Sequence, residues 1–214
     1  AILEYLPGVY DFISPNDYIG HRGVSMGYRF GAGTTDVINC GTGVTHHPTA
    51  WSLFFRLQIN ASNTTLRRLV HFEQTSGSFT ANMYALLNIN TNELHIGISI
   101  LGGFFEAVWA TGWSAGSEHT VVGTFDGTTI SIYGDADATA KATALVIGSA
   151  DTEADQVFCI GNLAGFPDGA DASVYEVGWF PGVILTGAQA AQLGAGGGGA
   201  TAGIAAPTNY WGLV

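Results

Sequence analysis

The stretch HTVVGTFDGTTISIYG, residues 119–134, decides the fold that we predict for this chain. Both halves are rich in β-branched and aromatic residues, which are typical of strands. Asp126-Gly127 separates the halves, and glycine readily adopts the positive φ that hairpin turns need. The stretch therefore predicts an antiparallel hairpin. Val121, Gly123 and Phe125 share one face of the first strand, and Ile130 and Ile132 share one face of the second.

Residues 51–59 show the clearest alternation in the rest of the chain. Trp51, Leu53, Phe55, Leu57 and Ile59 fall on one face of an extended segment, which predicts a half-buried strand. Shorter runs of the same character predict further strands. They cover 28–31, 36–40, 69–72, 83–89, 94–101, 104–109, 144–147, 157–160 and 173–180.

Turn signals recur every 8–12 residues or so between these runs, which indicates an all-β fold. We predict a two-sheet antiparallel jelly-roll sandwich with one short helix near the C-terminus. That helix covers residues 186–193, with Thr186 as its N-cap and Gln189 in the capping-box position. Gly194 is expected to end it.

The chain divides by composition into three parts. Residues 1–27 are irregular and are interpreted as an N-terminal arm or a first strand. Residues 28–193 form the predicted sandwich. Residues 194–214 combine a glycine-rich linker with an apolar end, which is either a strand of the same sheet or a tail that docks on another subunit. The first of these two alternatives is favoured.

Composition limits the classes of partner. Only 11% of the 214 residues are charged, and the net charge is −11. Nucleic acids and anionic membranes attract basic surfaces, so neither is an expected partner. No apolar run is long enough to span a bilayer, so membrane insertion is not expected either. A surface so poor in charge favours lasting contact with neighbouring proteins, and we expect a homo-oligomer.

Cys40 and Cys159 are the two cysteines of the chain. Two cysteines permit one disulfide, but sequence alone cannot place them in contact. Cys159 lies within an apolar run, and isolated cysteines are commonly buried. Free, buried thiols are therefore favoured over a bridge.

The order of these segments resembles the concanavalin A-like lectin/glucanase superfamily, in its laminin G-like and pentraxin-like branch. The resemblance rests on residues 30–38, the Trp-led strand at 49–55, the hairpin at 119–134, and the last strand and helical turn within 174–193. It covers roughly residues 28–193 and concerns architecture more than activity. Gly134-Asp135-Ala136-Asp137 departs from the Asn-Gly or Asp-Gly usual after the hairpin, so the loop at this rim is expected to differ.

Catalytic members of the superfamily carry three acids at alternate positions of one strand, Glu-x-Asp-x-Glu. The nearest match here is Glu153, Asp155 and Val157, in which the last acid is missing. The acid/base pair that glycoside hydrolysis needs is then incomplete, and no catalytic residue is assigned. A Ser-His-Asp constellation stays an open alternative, although no nucleophile-elbow pattern supports one.

The resemblance also implies calcium as a cofactor that the fold can hold. Carboxylate-rich loops offer candidate ligands, although Asp and Gly are also ordinary turn residues, and that interpretation is favoured. No cofactor is therefore assigned, with calcium left as an alternative. The candidates are Asp135, Asp137, Asp168 and Asp171, with the loop 151–155 as a further source of acids.

Trp109, Trp113 and Tyr133 are the candidates for stacking against a sugar ring, although tryptophans of a sandwich more often lie in its core. His46 and His47 are adjacent, so on an extended chain they point apart and suit a shared metal poorly.

The sequence thus favours a non-catalytic structural or interaction protein. The leading hypothesis is a virion accessory protein of the capsid-decoration type, located on the virion surface. The alternative is a secreted or cell-surface lectin, with calcium as its possible cofactor, located outside the cell. The first hypothesis expects protein partners, and the second expects a glycan.

Overall fold

The computed structural model describes residues 28–30, 37–40, 50–60, 66–74, 83–88, 93–100, 103–148, 156–161, 171–196 and 209–212. Most of them lie in antiparallel strands, which confirms the all-β class. The strands are β1 Tyr28–Phe30, β2 Val37–Asn39, β3 Trp51–Ile59, β4 Leu66–Gln74, β5 Met83–Asn88, β6 Glu93–Ile100, β7 Gly103–Ala110, β8 Glu118–Phe125, β9 Thr129–Gly134, β10 Ala142–Leu145, β11 Gln156–Gly161, β12 Ala172–Pro181 and β13 Asn209–Gly212.

Two sheets build the sandwich. The first sheet has the order β1-β12-β3-β8-β9-β10, and β13 also pairs with β12. The second sheet has the order β2-β11-β4-β5-β6-β7. Consecutive strands such as β8 and β9 pair directly, whereas β3 pairs with the distant β12 over nine residue pairs. These crossovers between distant strands produce the predicted jelly-roll architecture.

The main core lies between the inner faces of the two sheets. Trp179 of β12 contacts Trp51 of its own sheet, with ring centroids 5.6 Å apart. It also meets Phe72 of the second sheet, with centroids 5.1 Å apart in an edge-on arrangement. All three side chains are at most 2% exposed, so aromatic contacts join the layers at the centre of the sandwich.

The predicted hairpin is present with the expected register, in which Phe125 lies opposite Ile130. Gly127 has a φ of 97°, the left-handed conformation that glycine tolerates. The Asp126 carboxylate accepts hydrogen bonds from the backbone N–H groups of Thr128 (2.9 Å) and Thr129 (2.7 Å). The Asp-Gly pair therefore closes the turn through both backbone freedom and side-chain hydrogen bonding.

One helix, α1 Gly187–Gly196, packs on the outer face of the first sheet. The predicted capping box is present: the Gln189 N–H donates to Thr186 Oγ1 at 3.3 Å, and the Thr186 N–H donates to Gln189 Oε1 at 2.9 Å. The helix runs two residues beyond Gly194, which was predicted to end it. A Cβ at Gly194 would lie 2.6 Å from the Ala136 backbone nitrogen, so this glycine permits close docking instead.

The predicted boundary at residue 194 therefore falls inside α1. Beyond it, β13 pairs with β12 from Trp179↔Asn209 to Glu176↔Gly212, which is the favoured alternative for the apolar end. Residues 1–27 lie outside the described part of the chain. The division into three parts stays a prediction.

Both cysteines are free thiols. Asn39 pairs with Cys159 across β2 and β11, so Cys40, one residue further along, is directed toward the opposite face. Cys40 packs against the main core, and burial raises its pKa to about 12. Side-chain alternation therefore separates two cysteines that lie on neighbouring strands. In the described ranges, the helix is also too short to cross a bilayer.

Candidate functional site

Polar and aromatic side chains meet where β8 begins and the turn between β9 and β10 ends the hairpin. We call this group the His119 cluster. It is formed by the residues Trp109, Trp113, Ser117, His119 and Asp135.

The loop 111–117 carries Trp113 and Ser117 into the cluster and is fixed to the end of β3. The Gly116 N–H donates to the Ile59 carbonyl at 2.6 Å, and the Ile59 N–H donates to the Ser117 carbonyl at 3.2 Å. Gln58 Nε2 donates to the Gly116 carbonyl at 3.0 Å. These three hydrogen bonds hold the backbone at Gly116 and Ser117, and so they fix the position from which the Ser117 side chain extends.

The turn that carries Asp135 has an unusual backbone. Asp135 and Ala136 have φ values of 53° and 60°, and neither is glycine. The left-handed region is costly for alanine and less so for aspartate. The turn is closed by the Asp137 N–H, which donates to the Gly134 carbonyl at 3.1 Å, and is joined to β8 by the Asp135 N–H, which donates to the Thr120 carbonyl at 3.0 Å. Because Asp135-Ala136 stands in place of an Asn-Gly or Asp-Gly pair, the left-handed backbone of this turn costs more free energy than it would with glycine.

His119 lies between a hydroxyl and a carboxylate. Its Nε2 is 2.7 Å from Ser117 Oγ, and its Nδ1 is 3.0 Å from Asp135 Oδ2. The Thr120 N–H donates to the same carboxylate at 3.3 Å. Desolvation alone would raise the pKa of Asp135, but the hydrogen bond and charge of His119 outweigh it, so this pKa lies below its ordinary value. The indole N–H of Trp113 adds a weaker effect in the same direction, without a hydrogen bond of ordinary geometry.

Trp113 stacks on the imidazole of His119, with ring centroids 4.2 Å apart and planes inclined by 13°. Trp109 approaches Trp113 edge-on, with centroids 5.2 Å apart. A Cβ at Gly134 would lie 2.2 Å from the Trp109 ring, so glycine makes room for the indole. Trp113 is only 8% exposed, and its contacts orient His119 rather than leave a face open.

Tyr133, the third candidate for sugar stacking, packs against the buried residues under α1. Trp109 is partly buried against the main core. The three aromatic candidates therefore do not converge on one surface: two are joined in the His119 cluster and the third supports the helix. Sugar binding by these residues stays a prediction.

The four aspartate candidates for calcium do not form a common site in the described residues. Asp137 accepts hydrogen bonds from Lys141 Nζ at 2.7 Å and from the Thr139 N–H at 2.8 Å, and Lys141 holds its pKa at about 2. Asp171 is buried, whereas Asp168 and the loop 151–155 lie outside the described ranges. No group of three potential metal ligands occurs in the part that the structure describes. Calcium binding stays a prediction.

The remaining sequence candidates are only partly visible. Glu153 and Asp155 of the glucanase-like pattern lie outside the described residues, as do His46 and His47. Val157, in the position of the missing third acid, is buried at 7% exposure on β11.

A second polar group lies on the outer face of the second sheet. His95 Nε2 is 3.3 Å from Glu93 Oε2, and His95 Nδ1 is 3.2 Å from Glu106 Oε2. On β7, Phe104 and Val108 are directed to the same face and are 56% and 39% exposed. Carboxylates, an imidazole and an exposed aromatic ring are thus collected on one sheet surface.

The sequence analysis named some members of these two groups but predicted neither group as a cluster. For the first group, the hairpin register could have revealed the arrangement, since counting back from Phe125↔Ile130 and Val121↔Gly134 places residue 135 beside Thr120. For the second group, alternation along β6 and β7 indicates the shared face but not the bending of two glutamates toward His95. Ser117 lies before β8 and gives no periodic signal.

Comparisons with known proteins add evidence on the fold. Neither protein-family profiles nor curated proteins gave a significant match to the sequence. The native heptameric SAP-like pentraxin from Limulus polyphemus is similar in structure, with a TM-score of 0.55 and 11% identity over 69% of this chain and 70% of the pentraxin. A mutant of NanB sialidase from Streptococcus pneumoniae has a TM-score of 0.56 and 12% identity, over 75% of this chain and 26% of the sialidase.

The chain thus spans about a quarter of the sialidase and most of the pentraxin. At such identities the likeness concerns the fold alone. The expected two-sheet jelly-roll sandwich is confirmed as a fold, and it is the fold that the concanavalin A-like pentraxin shares.

Proposed function

We propose that the chain is an interaction protein rather than a glycan hydrolase, and that it serves as an accessory subunit on the surface of a virion. The observation that carries the proposal is the edge of the first sheet. Leu145 of β10 is 65% exposed, and Ile147 just after it is 71% exposed. Residues 142–147 contain no charge, although sheet edges are commonly protected by charged side chains.

The pairing of β10 supports this use of the edge. On one side β10 pairs with β9, and no other described strand pairs with its outer side. An edge strand whose outer side pairs with no described strand, and which carries exposed aliphatic side chains, can add to a strand of a neighbouring protein. The partner that we propose is another copy of this chain or the capsid protein beneath it. The low overall charge favours such lasting contact.

Sedimentation velocity at micromolar concentration tests self-association. We expect the wild-type chain to assemble, and the double change Leu145→Glu with Ile147→Glu to weaken assembly at least tenfold, because two carboxylates would have to be desolvated. Ile184→Glu is the matched control, since Ile184 is 48% exposed elsewhere on the surface. A wild-type chain that neither self-associates nor co-purifies with virions would contradict the proposal.

A lectin is the second candidate, and the group Glu93, His95 and Glu106 beside Phe104 favours it. Carboxylates and imidazole can hydrogen-bond sugar hydroxyls, and an exposed ring can cover the apolar face of a pyranose. A glycan array with and without chelator tests this function. Binding that Glu106→Gln abolishes, but that Glu118→Gln on the other sheet leaves unchanged, would support a lectin. Absence of glycan binding would reject it.

A further inference from the structure

Three residues of the His119 cluster have the relative placement of a nucleophile, its base and the group that orients the base. Ser117 Oγ is 2.7 Å from His119 Nε2, and His119 Nδ1 is 3.0–3.1 Å from both carboxylate oxygens of Asp135. A hydroxyl within hydrogen-bond reach of an imidazole that a carboxylate orients is the arrangement of an activated serine. We propose that Ser117, His119 and Asp135 form a triad that hydrolyses carboxylic esters, an activity beyond the interaction role proposed above.

Hydrogen-bond donors and acceptors in the cluster are compatible with this role. The anionic Asp135 accepts the Nδ1–H of a neutral His119, which leaves the Nε2 lone pair to accept the Ser117 hydroxyl proton. The Ser117 hydroxyl also lies within hydrogen-bond reach of the Ser114 carbonyl. That carbonyl competes for the same proton, and it becomes the acceptor when His119 carries two protons.

The surroundings fix the base and leave the nucleophile accessible. Trp113 stacks on one face of the imidazole, and the Thr120 N–H holds the Asp135 carboxylate. The Ser117 side chain is partly exposed, and the His119 side chain is 14% exposed. This partial exposure is compatible with the approach of an ester to Ser117 Oγ from solvent.

The reaction balances with water as co-reactant. Ser117 Oγ forms a bond to the ester carbonyl carbon while His119 Nε2 takes the hydroxyl proton. The carbon–oxygen bond to the alcohol breaks, and His119 returns that proton to the leaving alcohol. Water then attacks the acyl-serine, loses a proton to His119, and releases the acid as Ser117 regains its proton.

A fluorophosphonate probe, which reacts with activated serines, tests the triad on the full chain. We expect labelling of the wild-type protein at Ser117, located by peptide mass spectrometry, and no labelling of Ser117→Ala. Asp135→Asn should slow labelling at least tenfold, because the base loses its anionic partner. Ser114→Ala is the matched control, since its side chain lies outside the triad, and it should label at the wild-type rate.

Hydrolysis of p-nitrophenyl acetate provides the second readout. Turnover that disappears in Ser117→Ala, with an unchanged circular dichroism spectrum and melting temperature, supports the proposal. Wild-type protein that is labelled no faster than Ser117→Ala, or is labelled at another serine, overturns it. The probe reports on serine chemistry alone, so this result is independent of assembly or glycan binding.

Discussion

The carboxylate of Asp126 stabilises the hairpin turn through several hydrogen bonds. Its Oδ1 accepts the N–H groups of Thr128 and Thr129 and the Thr128 hydroxyl. Slight desolvation raises the pKa of Asp126, but these hydrogen bonds outweigh it and hold this pKa below its ordinary value. The ionised carboxylate is therefore preferred in the folded state, and the turn gains stability from it.

We expect Asp126→Ala to lower the free energy of unfolding by about 1 kcal/mol at pH 7, because exposed hydrogen bonds are modest in strength. A lowered folded-state pKa gives stability that is complete above the unfolded value of about 4 and is lost as the pH falls through the folded value. The difference between wild type and variant should therefore shrink below about pH 4, as urea titrations would show.

Asp126→Asn is the control for this prediction, since its amide oxygen can still accept the two backbone hydrogen bonds but cannot ionise. It should keep most of the stability and lose the pH-dependent part. An Asp126→Ala variant as stable as wild type at pH 7 would contradict the role assigned to the turn.

Single residues differ in how far their contacts can be predicted from the sequence. Asp126 was predictable because Asp-Gly is a local signal that needs no distant partner. The His119 cluster was predictable only in part, since the hairpin register places Asp135 beside Thr120, but Trp113 reaches the imidazole from a loop outside the hairpin. Distances between loops depend on tertiary packing, which local periodicity does not contain.

Among the elements, α1 depends on the sheet beneath it. Ser52 of β3 is fully buried; its hydroxyl donates to the Val183 carbonyl at 2.8 Å and accepts the Leu185 N–H at 3.0 Å. These two hydrogen bonds fix the segment that leads into the helix. Phe54, also of β3, packs with Leu185 and Leu193 under α1.

Ser52→Ala should lower the free energy of unfolding by about 1–3 kcal/mol, because the buried Leu185 N–H is left without its acceptor. Thermal melts would measure the loss, and limited proteolysis should show earlier cleavage near α1. Ser131→Ala on the half-buried outer side of β9 is the control, with an expected change below about 0.5 kcal/mol. Equal stability of the two variants would show that Ser52 does not hold the helix.

The strands themselves were predictable because alternation is a local property. β3 has the predicted bounds, and most other strands differ from prediction by a few residues at their ends. Burial is less predictable: Phe54 lies on the face of β3 opposite to Trp51 and Leu53, which a half-buried strand would expose, and it is fully buried. Its burial depends on α1, more than a hundred residues away, and no pattern within β3 indicates that cover.

At the scale of the whole molecule, packing determines the chemistry of the two thiols. Cys159 is 2% exposed, and burial raises the pKa of Cys40 to about 12. Thiolate is the reactive form, so both cysteines should resist iodoacetamide in the native protein at pH 8. In guanidinium chloride both should react, giving two modified residues per chain by mass spectrometry without any reductant.

Recovery of an unmodified, oxidised pair from the denatured chain would contradict free thiols. Rapid native modification of Cys40 would contradict its burial. The variant Cys159→Ser separates the modification of the two thiols, since Cys40 is then the one cysteine that iodoacetamide can modify.

The position of β12 has a consequence for how the chain acquires its structure. β12 pairs with β1, β3 and β13, yet Gln58 of β3 and Tyr175 of β12, which are hydrogen-bonded, are separated by 117 residues. At about 5–20 residues per second, this separation corresponds to roughly 6–23 s of synthesis. During that interval β8 can already pair with one edge of β3, but the other edge, which later pairs with β12, has no partner strand. The yield of native protein should therefore depend on chaperones that bind nascent chains and on translation speed, even where the finished sandwich is stable.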